Sequence, residues 1–167
     1  AFCMPLKKVD LSQPHRAILR EDTRHQHCHI KSTNLFANTQ LQQIAQDNNA
    51  IECILHQGTR VTEGTSSNVF IVKKQKILTP SLDLNILRGI TRDKIISLAN
   101  RASIPCIETT ITVDELISAD EVWITSSSKG ACPISILDDQ IIGDGSPGPI
   151  WQQVHELYSD SIQSRRT

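Results

Sequence analysis

Apolar and polar residues alternate along the chain in short blocks, which read as interleaved strands and helices. Residues 1–20 mix Pro5, Pro14 and scattered charge, and read as a lead-in segment with one short helix over 12–20. Between 23 and 30, His25, His27 and His29 alternate with Gln26, Cys28 and Ile30. Period two predicts a strand with its histidines on one face. Ser32, Thr33 and Asn34 follow Lys31 and supply helix-capping side chains. Leu35, Leu41, Ile44 and Ala45 then recur at roughly helical spacing, until Asp47-Asn48-Asn49 ends the helix.

The next stretch reads as strands joined by tight turns. They cover 51–56, 68–72 and 76–79, with turns at Gln57-Gly58 and Lys73-Lys74-Gln75, while 60–63 leads into Gly64-Thr65-Ser66-Ser67. Residues 82–87 are apolar but interrupted by Asp83 and Asn85. A helix is predicted over 91–102, with Ile95, Leu98, Ala99 and Ala102 on one face. Further on come a strand at 105–110, a short helix capped by Thr112, and a strand at 122–125. A hairpin over 133–142 turns at Asp138-Asp139, and an amphipathic helix covers 150–162. Helices and strands mixed in this way, with several hairpins among them, favour an α/β fold with a mixed sheet over a doubly wound parallel one.

Composition narrows the function classes. A chain of 167 residues, 38% of them hydrophobic, can bury one sizeable core. A net charge of −1 gives no reason to expect nucleic acid as a partner. No apolar run is long enough to span a bilayer. Cys3, Cys28, Cys53, Cys106 and Cys132 are scattered and odd in number, which suits free thiols in a reducing cytoplasm. The chain starts at Ala1, and its only methionine is Met4. A fragment of a longer protein is therefore expected.

Lys31 is the focus of the candidate chemistry. At the end of an apolar strand a lysine can be desolvated, and only the neutral amine forms a Schiff base. Glu63, in Val61-Thr62-Glu63-Gly64-Thr65-Ser66-Ser67-Asn68, could keep a pyridine nitrogen protonated, or be an ordinary turn glutamate. Gly89-Ile90-Thr91 opens a helix and could bind a phosphate through free N–H groups, or Thr91 could simply cap that helix. Ser126 and Ser127 could grip phosphate oxygens or form a serine-rich turn. The strand histidines admit a metal site, although no further ligand cluster stands at suitable spacing.

Taken together, several segments resemble the fold-type IV pyridoxal-phosphate enzymes, the class IV aminotransferases, and in particular their D-amino acid-specific branch. They are Glu21-Asp22-Thr23-Arg24, Cys28-His29-Ile30-Lys31-Ser32-Thr33-Asn34-Leu35, Val61 to Phe70, Leu87-Arg88-Gly89-Ile90-Thr91-Arg92-Asp93, and Val122-Trp123-Ile124-Thr125-Ser126-Ser127. The resemblance implies a mixed sheet forming a pseudo-barrel flanked by helices. It implies that 21–167 form the pyridoxal-phosphate-binding C-terminal domain, and that 1–20 lead in from an N-terminal domain missing here. Lys31 would carry pyridoxal 5'-phosphate as a Schiff base and move a proton at the amino acid Cα. Glu63 would hold the ring nitrogen, and Leu87 would pack on the ring. Gly89, Ile90 and Thr91, with Ser126 and Ser127, would hold the phosphate. Arg24 matches a family position but receives no role.

The implied reaction is transamination between a D-amino acid, such as D-alanine, and a 2-oxo acid, in a homodimer. Branched-chain aminotransferase, aminodeoxychorismate lyase and a non-catalytic fragment are the alternatives. His25, His27, His29 and Lys129-Gly130-Ala131-Cys132 depart from the commoner family pattern.

Overall fold

The computed structural model describes residues 9–164. Its strands are divided between two mixed five-stranded sheets. The first contains β1 (Arg16–Glu21), β2 (Glu52–Gln57), β3 (Arg60–Gly64), β9 (Ile136–Leu137) and β10 (Gln140–Ile141). Its order is β10-β9-β1-β2-β3. The second contains β4 (Asn68–Lys73), β5 (Lys76–Pro80), β6 (Cys106–Thr109), β7 (Glu121–Ser126) and β8 (Gly130–Ile134). Its order is β6-β5-β4-β7-β8. Parallel and antiparallel pairs occur in both, so the mixed α/β class expected from the sequence is the one observed.

Period two explains how the layers stack. In β2, Cys53 and Leu55 face helix α1 (Phe36–Asp47), where Leu41 and Ala45 complete a small core. Ile54 points the other way, into the central core, with Ala17 and Val61. In β4, Val69 and Ile71 meet that central core from the second sheet, as do Val122 and Ile124 of β7. Phe70, Val72 and Trp123 face outward, beneath helices α2 (Ile90–Arg101) and α4 (Pro149–Gln163). The Phe70 and Trp123 rings stack 5.6 Å apart, worth about 0.5–1.5 kcal/mol beyond their buried area. Because both faces of β4 and β7 are buried, these strands read as continuous apolar runs.

The turns follow local chemistry. Lys74 and Gln75 both have positive φ at the β4–β5 hairpin tip, and Gly58 turns the β2–β3 hairpin at φ +58°. Thr112 and Glu115 form a reciprocal capping box on α3 (Val113–Ile117). At α4, the buried Glu121 carboxylate accepts from the Ile150 and Trp151 N–H groups at 2.9 and 2.7 Å.

Four local expectations are corrected. The segment expected as a helix over 12–20 instead contributes β1. Its Ala17-Ile18 pair is buried, with β2 and β9 pairing in parallel on either side, and tertiary pairing overrides a weak helical period. The stretch 23–30 is a loop, not a strand. Neither face of its alternation is buried, and His27 sits at φ +73°, which breaks an extended chain. Ser32, Thr33 and Asn34 do not cap α1, whose N-cap is Leu35 with no side-chain hydrogen bond. The hairpin expected over 133–142 is β9–β10 alone, because Pro133 and Ile134 belong to β8 in the other sheet. No described helix is long and apolar enough to cross a membrane.

Candidate active site

The β3–β4 turn at Gly64-Thr65-Ser66-Ser67 passes the chain from one sheet to the other and forms one wall of a cavity of about 430 Å³. Beneath the turn lies Glu52, fully buried. Its Oε1 accepts from Thr65 N at 3.1 Å and from the Thr65 hydroxyl, and its Oε2 accepts from Ser67 Oγ at 2.8 Å. Lys129 reaches the same carboxylate at 3.5 Å. Asn38 of α1 donates to Thr65 O at 2.6 Å. A buried carboxylate satisfied in this way holds the turn in one shape.

The end of β3 carries Glu63 into the cavity. Its Oε1 accepts from Arg24 Nη1 at 2.7 Å, and its Oε2 from Leu87 N at 3.0 Å and Asn68 Nδ2 at 3.1 Å. Arg24 also donates from Nε and Nη2 to the two oxygens of Asp22, at 2.9 and 2.8 Å. The three charged side chains are at most 5% exposed. Burial would raise the Asp22 carboxyl, but hydrogen bonds and charge from Arg24 outweigh it and hold the group below its ordinary value. For Glu63, burial prevails over the Arg24 charge and the donors, and pushes the carboxyl up to about 7.

That shift sets a pH dependence. The unfolded carboxyl releases its proton near 4.5, while the folded one keeps it to about 7. Between those values the native state binds more protons, so rising pH weakens it. The stabilisation from this group is complete below pH 4.5 and lost by about pH 7. Its size is on the order of 3 kcal/mol. Urea unfolding of wild type and Glu63→Gln at pH 5 and 7.5 should show the wild type alone losing that amount. A pH-independent difference between the two proteins would contradict it.

Opposite Glu63 the cavity ends on the first turn of α2. Gly89 is the N-cap, with no side-chain hydrogen bond, so Thr91 does not cap the helix. A Cβ at Gly89 would collide with Asn68 Oδ1, which only glycine avoids. Leu87, Gly89, Ile90 and Thr91 line the cavity, as do Thr125, Ser126 and Ser127 at the end of β7. Ser126 Oγ is tied into its own turn, facing Ser128 Oγ at 3.3 Å and accepting from Lys129 N at 3.2 Å. Ser127 is exposed.

Lys31 completes the wall, but differently from expectation. It lines the cavity and is exposed rather than desolvated. The segment that carries it is a surface loop, pinned by His29 N donating to Leu84 O at 3.2 Å, with no strand to cover it. All eight residues singled out in the sequence therefore border one cavity.

Sequence reasoning missed Arg24 and Asn68 as the groups that fix Glu63. Arg24 stood in the quoted segments without a role, while nothing local marked Asn68. A more open depression of about 540 Å³ runs along α2, lined by Arg88, Asp93, Ser97 and Arg101 among others. It contains none of the eight residues and no comparable buried polar cluster. Among the described residues, no three His, Cys, Asp or Glu side chains are placed to hold a metal, so the strand-histidine hypothesis has no structural counterpart.

The profile of the amino-transferase class IV family matches residues 5–137. A protein named D-alanine aminotransferase from Bacillus licheniformis is 40% identical over 166 residues, 98% of this chain and 59% of that protein. One of the same name from Staphylococcus aureus (strain N315) is 43% identical over 144 residues, 86% of this chain and 51% of its own length. The chain thus spans between half and three-fifths of these curated relatives. In three dimensions it is similar to the branched-chain amino acid aminotransferase of Thermobaculum terrenum, with a TM-score of 0.86 and 27% identity. That match covers 95% of this chain and 55% of the other. The branched-chain aminotransferase of Thermoproteus uzoniensis gives a TM-score of 0.85 at 30% identity, over the same shares of each chain. With a profile match over most of its length, and likeness in both sequence and backbone, the chain belongs to the class IV aminotransferases.

Proposed function

We propose that this cavity holds pyridoxal 5'-phosphate and that the protein transfers an amino group between a D-amino acid, such as D-alanine, and a 2-oxo acid. The observation that carries this reading is convergence. A lysine, a buried carboxylate anchored by three donors and an uncapped helix start border one cavity. The residues fit the group: Glu63 for the ring nitrogen, Leu87 against the ring, and Gly89, Ile90, Thr91 and Ser127 for the phosphate, with Ser126 beside them shaping the turn through its engaged hydroxyl. When bound, pyridoxal phosphate supplies an aldehyde that condenses with amines and a ring that spreads the electron pair left at Cα.

The rest falls to the chain. Lys31 would hold the cofactor and would move the proton at the substrate Cα. Arg24 keeps Glu63 directed at the ring nitrogen, and the Gly89 backbone allows close approach to the anion. Residues 21–167 would form the cofactor-binding domain. Family membership supports a homodimer, and the free thiols of Cys28, Cys53, Cys106 and Cys132 support a reducing cytoplasm.

The sequence relatives favour D-alanine, while the structural neighbours, which are branched-chain enzymes, give a reason to test L-leucine. Purified protein should turn yellow with the cofactor, bleach with borohydride, and gain the cofactor mass on Lys31. Side-by-side assays with D-alanine, L-leucine and aminodeoxychorismate should show D-alanine fastest, by about tenfold or more. Faster turnover of L-leucine would replace the first reading with the branched-chain one. Colourless protein that fixes no cofactor would leave a non-catalytic fragment.

A further inference from the structure

One fully buried hydroxyl in the cavity wall has no protein partner among the described residues. Thr125, one residue before the end of β7, is 2% exposed, and its Oγ1 makes no hydrogen bond among the described residues. Such a buried group is uncommon and unfavourable unless something else completes it. The direction of this hydroxyl follows from the pleat. Glu121, Trp123 and Thr125 share one face of β7, and Val122, Ile124 and Ser126 share the other. Trp123 faces α2 and α4, so Thr125 projects to that same side.

Its cross-strand neighbour fixes the place more closely. Thr125 stands directly opposite Asn68 in the β4–β7 ladder, so the two side chains lie next to each other. The Asn68 amide nitrogen is committed to Glu63 Oε2 and Leu87 O, at 3.1 and 2.8 Å, and its Oδ1 lies where a Gly89 Cβ would stand. Thr125 therefore borders the cavity beside the uncapped start of α2, a helix of 12 residues. Ser126, on the other face, already has its hydroxyl engaged with Ser128 and Lys129. Ser127 is exposed, so the buried hydroxyl left without a partner at this strand end is that of Thr125.

Building on the cofactor reading above, we propose that Thr125 Oγ1 donates a hydrogen bond to the cofactor's phosphate, beside the first-turn N–H groups of α2. A phosphate monoester dianion suits the site, because it accepts from a hydroxyl and from helix N–H groups at once. Thr125 thus joins Gly89, Ile90 and Thr91 as a binding residue.

The test compares pyridoxal phosphate with pyridoxal, which lacks the phosphate. Both are titrated by absorbance into wild type, Thr125→Val and Thr125→Ser, without substrate. Thr125→Val should weaken pyridoxal phosphate about tenfold, the effect of one charge-assisted hydrogen bond, and leave pyridoxal unchanged within about twofold. Thr125→Ser should restore affinity to within about threefold of wild type. Without cofactor, Thr125→Val should melt no lower than wild type, since it removes a hydroxyl with no partner. A lower melting temperature would mark a structural role and overturn the proposal. So would equal weakening of both aldehydes, no weakening of either, or a serine variant as weak as valine. Wild type that binds neither aldehyde overturns the cofactor reading and this assignment together. Wild type that binds both, with an equal loss in Thr125→Val, overturns the Thr125 assignment alone.

Discussion

Lys31→Ala is expected to abolish borohydride-stable attachment of pyridoxal phosphate and to slow amino transfer by about 10³-fold or more. Two roles disappear together in this variant: the amine that bonds the cofactor aldehyde, and the base that moves the Cα proton. Among the described lysines, Lys31 is the one that lines the cavity. Lys129 is turned toward the buried Glu52 carboxylate at 3.5 Å, and Lys73 donates to Ser118 Oγ at 2.9 Å. Because Lys31 sits on an exposed loop, its removal should leave the fold intact, with a melting temperature close to wild type. The measurement is peptide mass after borohydride reduction, alongside a D-alanine assay. Attachment that persists in Lys31→Ala, or that maps to Lys129 in the wild type, would refute the role given to Lys31.

How much of this could be read from the residues depends on how far apart the partners lie. β4 and β7 were legible because burial on both faces leaves an uninterrupted apolar run, and the tips at Lys73-Lys74-Gln75 and Asp138-Asp139 because polar residues interrupt the apolar runs there. The cavity residues were legible as a set because each stands in a short, distinctive segment. What stayed hidden was pairing at a distance. Arg24 and Glu63 meet across 39 positions, and Glu52 meets Lys129 across 77. No local pattern announces such contacts. The strand β1 was misread for the same reason, since its identity comes from β2 and β9 on either side rather than from its own period. The exposure of Lys31 was missed because the polar alternation of 23–30 resembles a strand until no partner strand is found.

Arg24→Met should be the most destabilising single change at the site, lowering unfolding free energy by about 3–5 kcal/mol at pH 8. The guanidinium lies between Asp22 and Glu63, with its side chain 3% exposed, and also donates to Asn85 O at 3.2 Å. Removing it leaves two buried carboxylates with like charge and no counter-ion. At pH 5 the loss should shrink. Glu63 is then protonated in the folded state, since burial has moved it up to about 7, and Asp22 without the guanidinium has only the Thr62 hydroxyl and the residue-24 N–H to set against burial, which raises it. Arg24→Lys keeps one positive charge but not the planar fork that serves both carboxylates, so its loss should fall between wild type and Arg24→Met. Urea denaturation of the three proteins at pH 5 and pH 8 decides the matter. A loss under about 1 kcal/mol at pH 8 would mean that the carboxylates are satisfied without Arg24. An equal loss at both pH values would mean that packing, not charge, gives this arginine its importance.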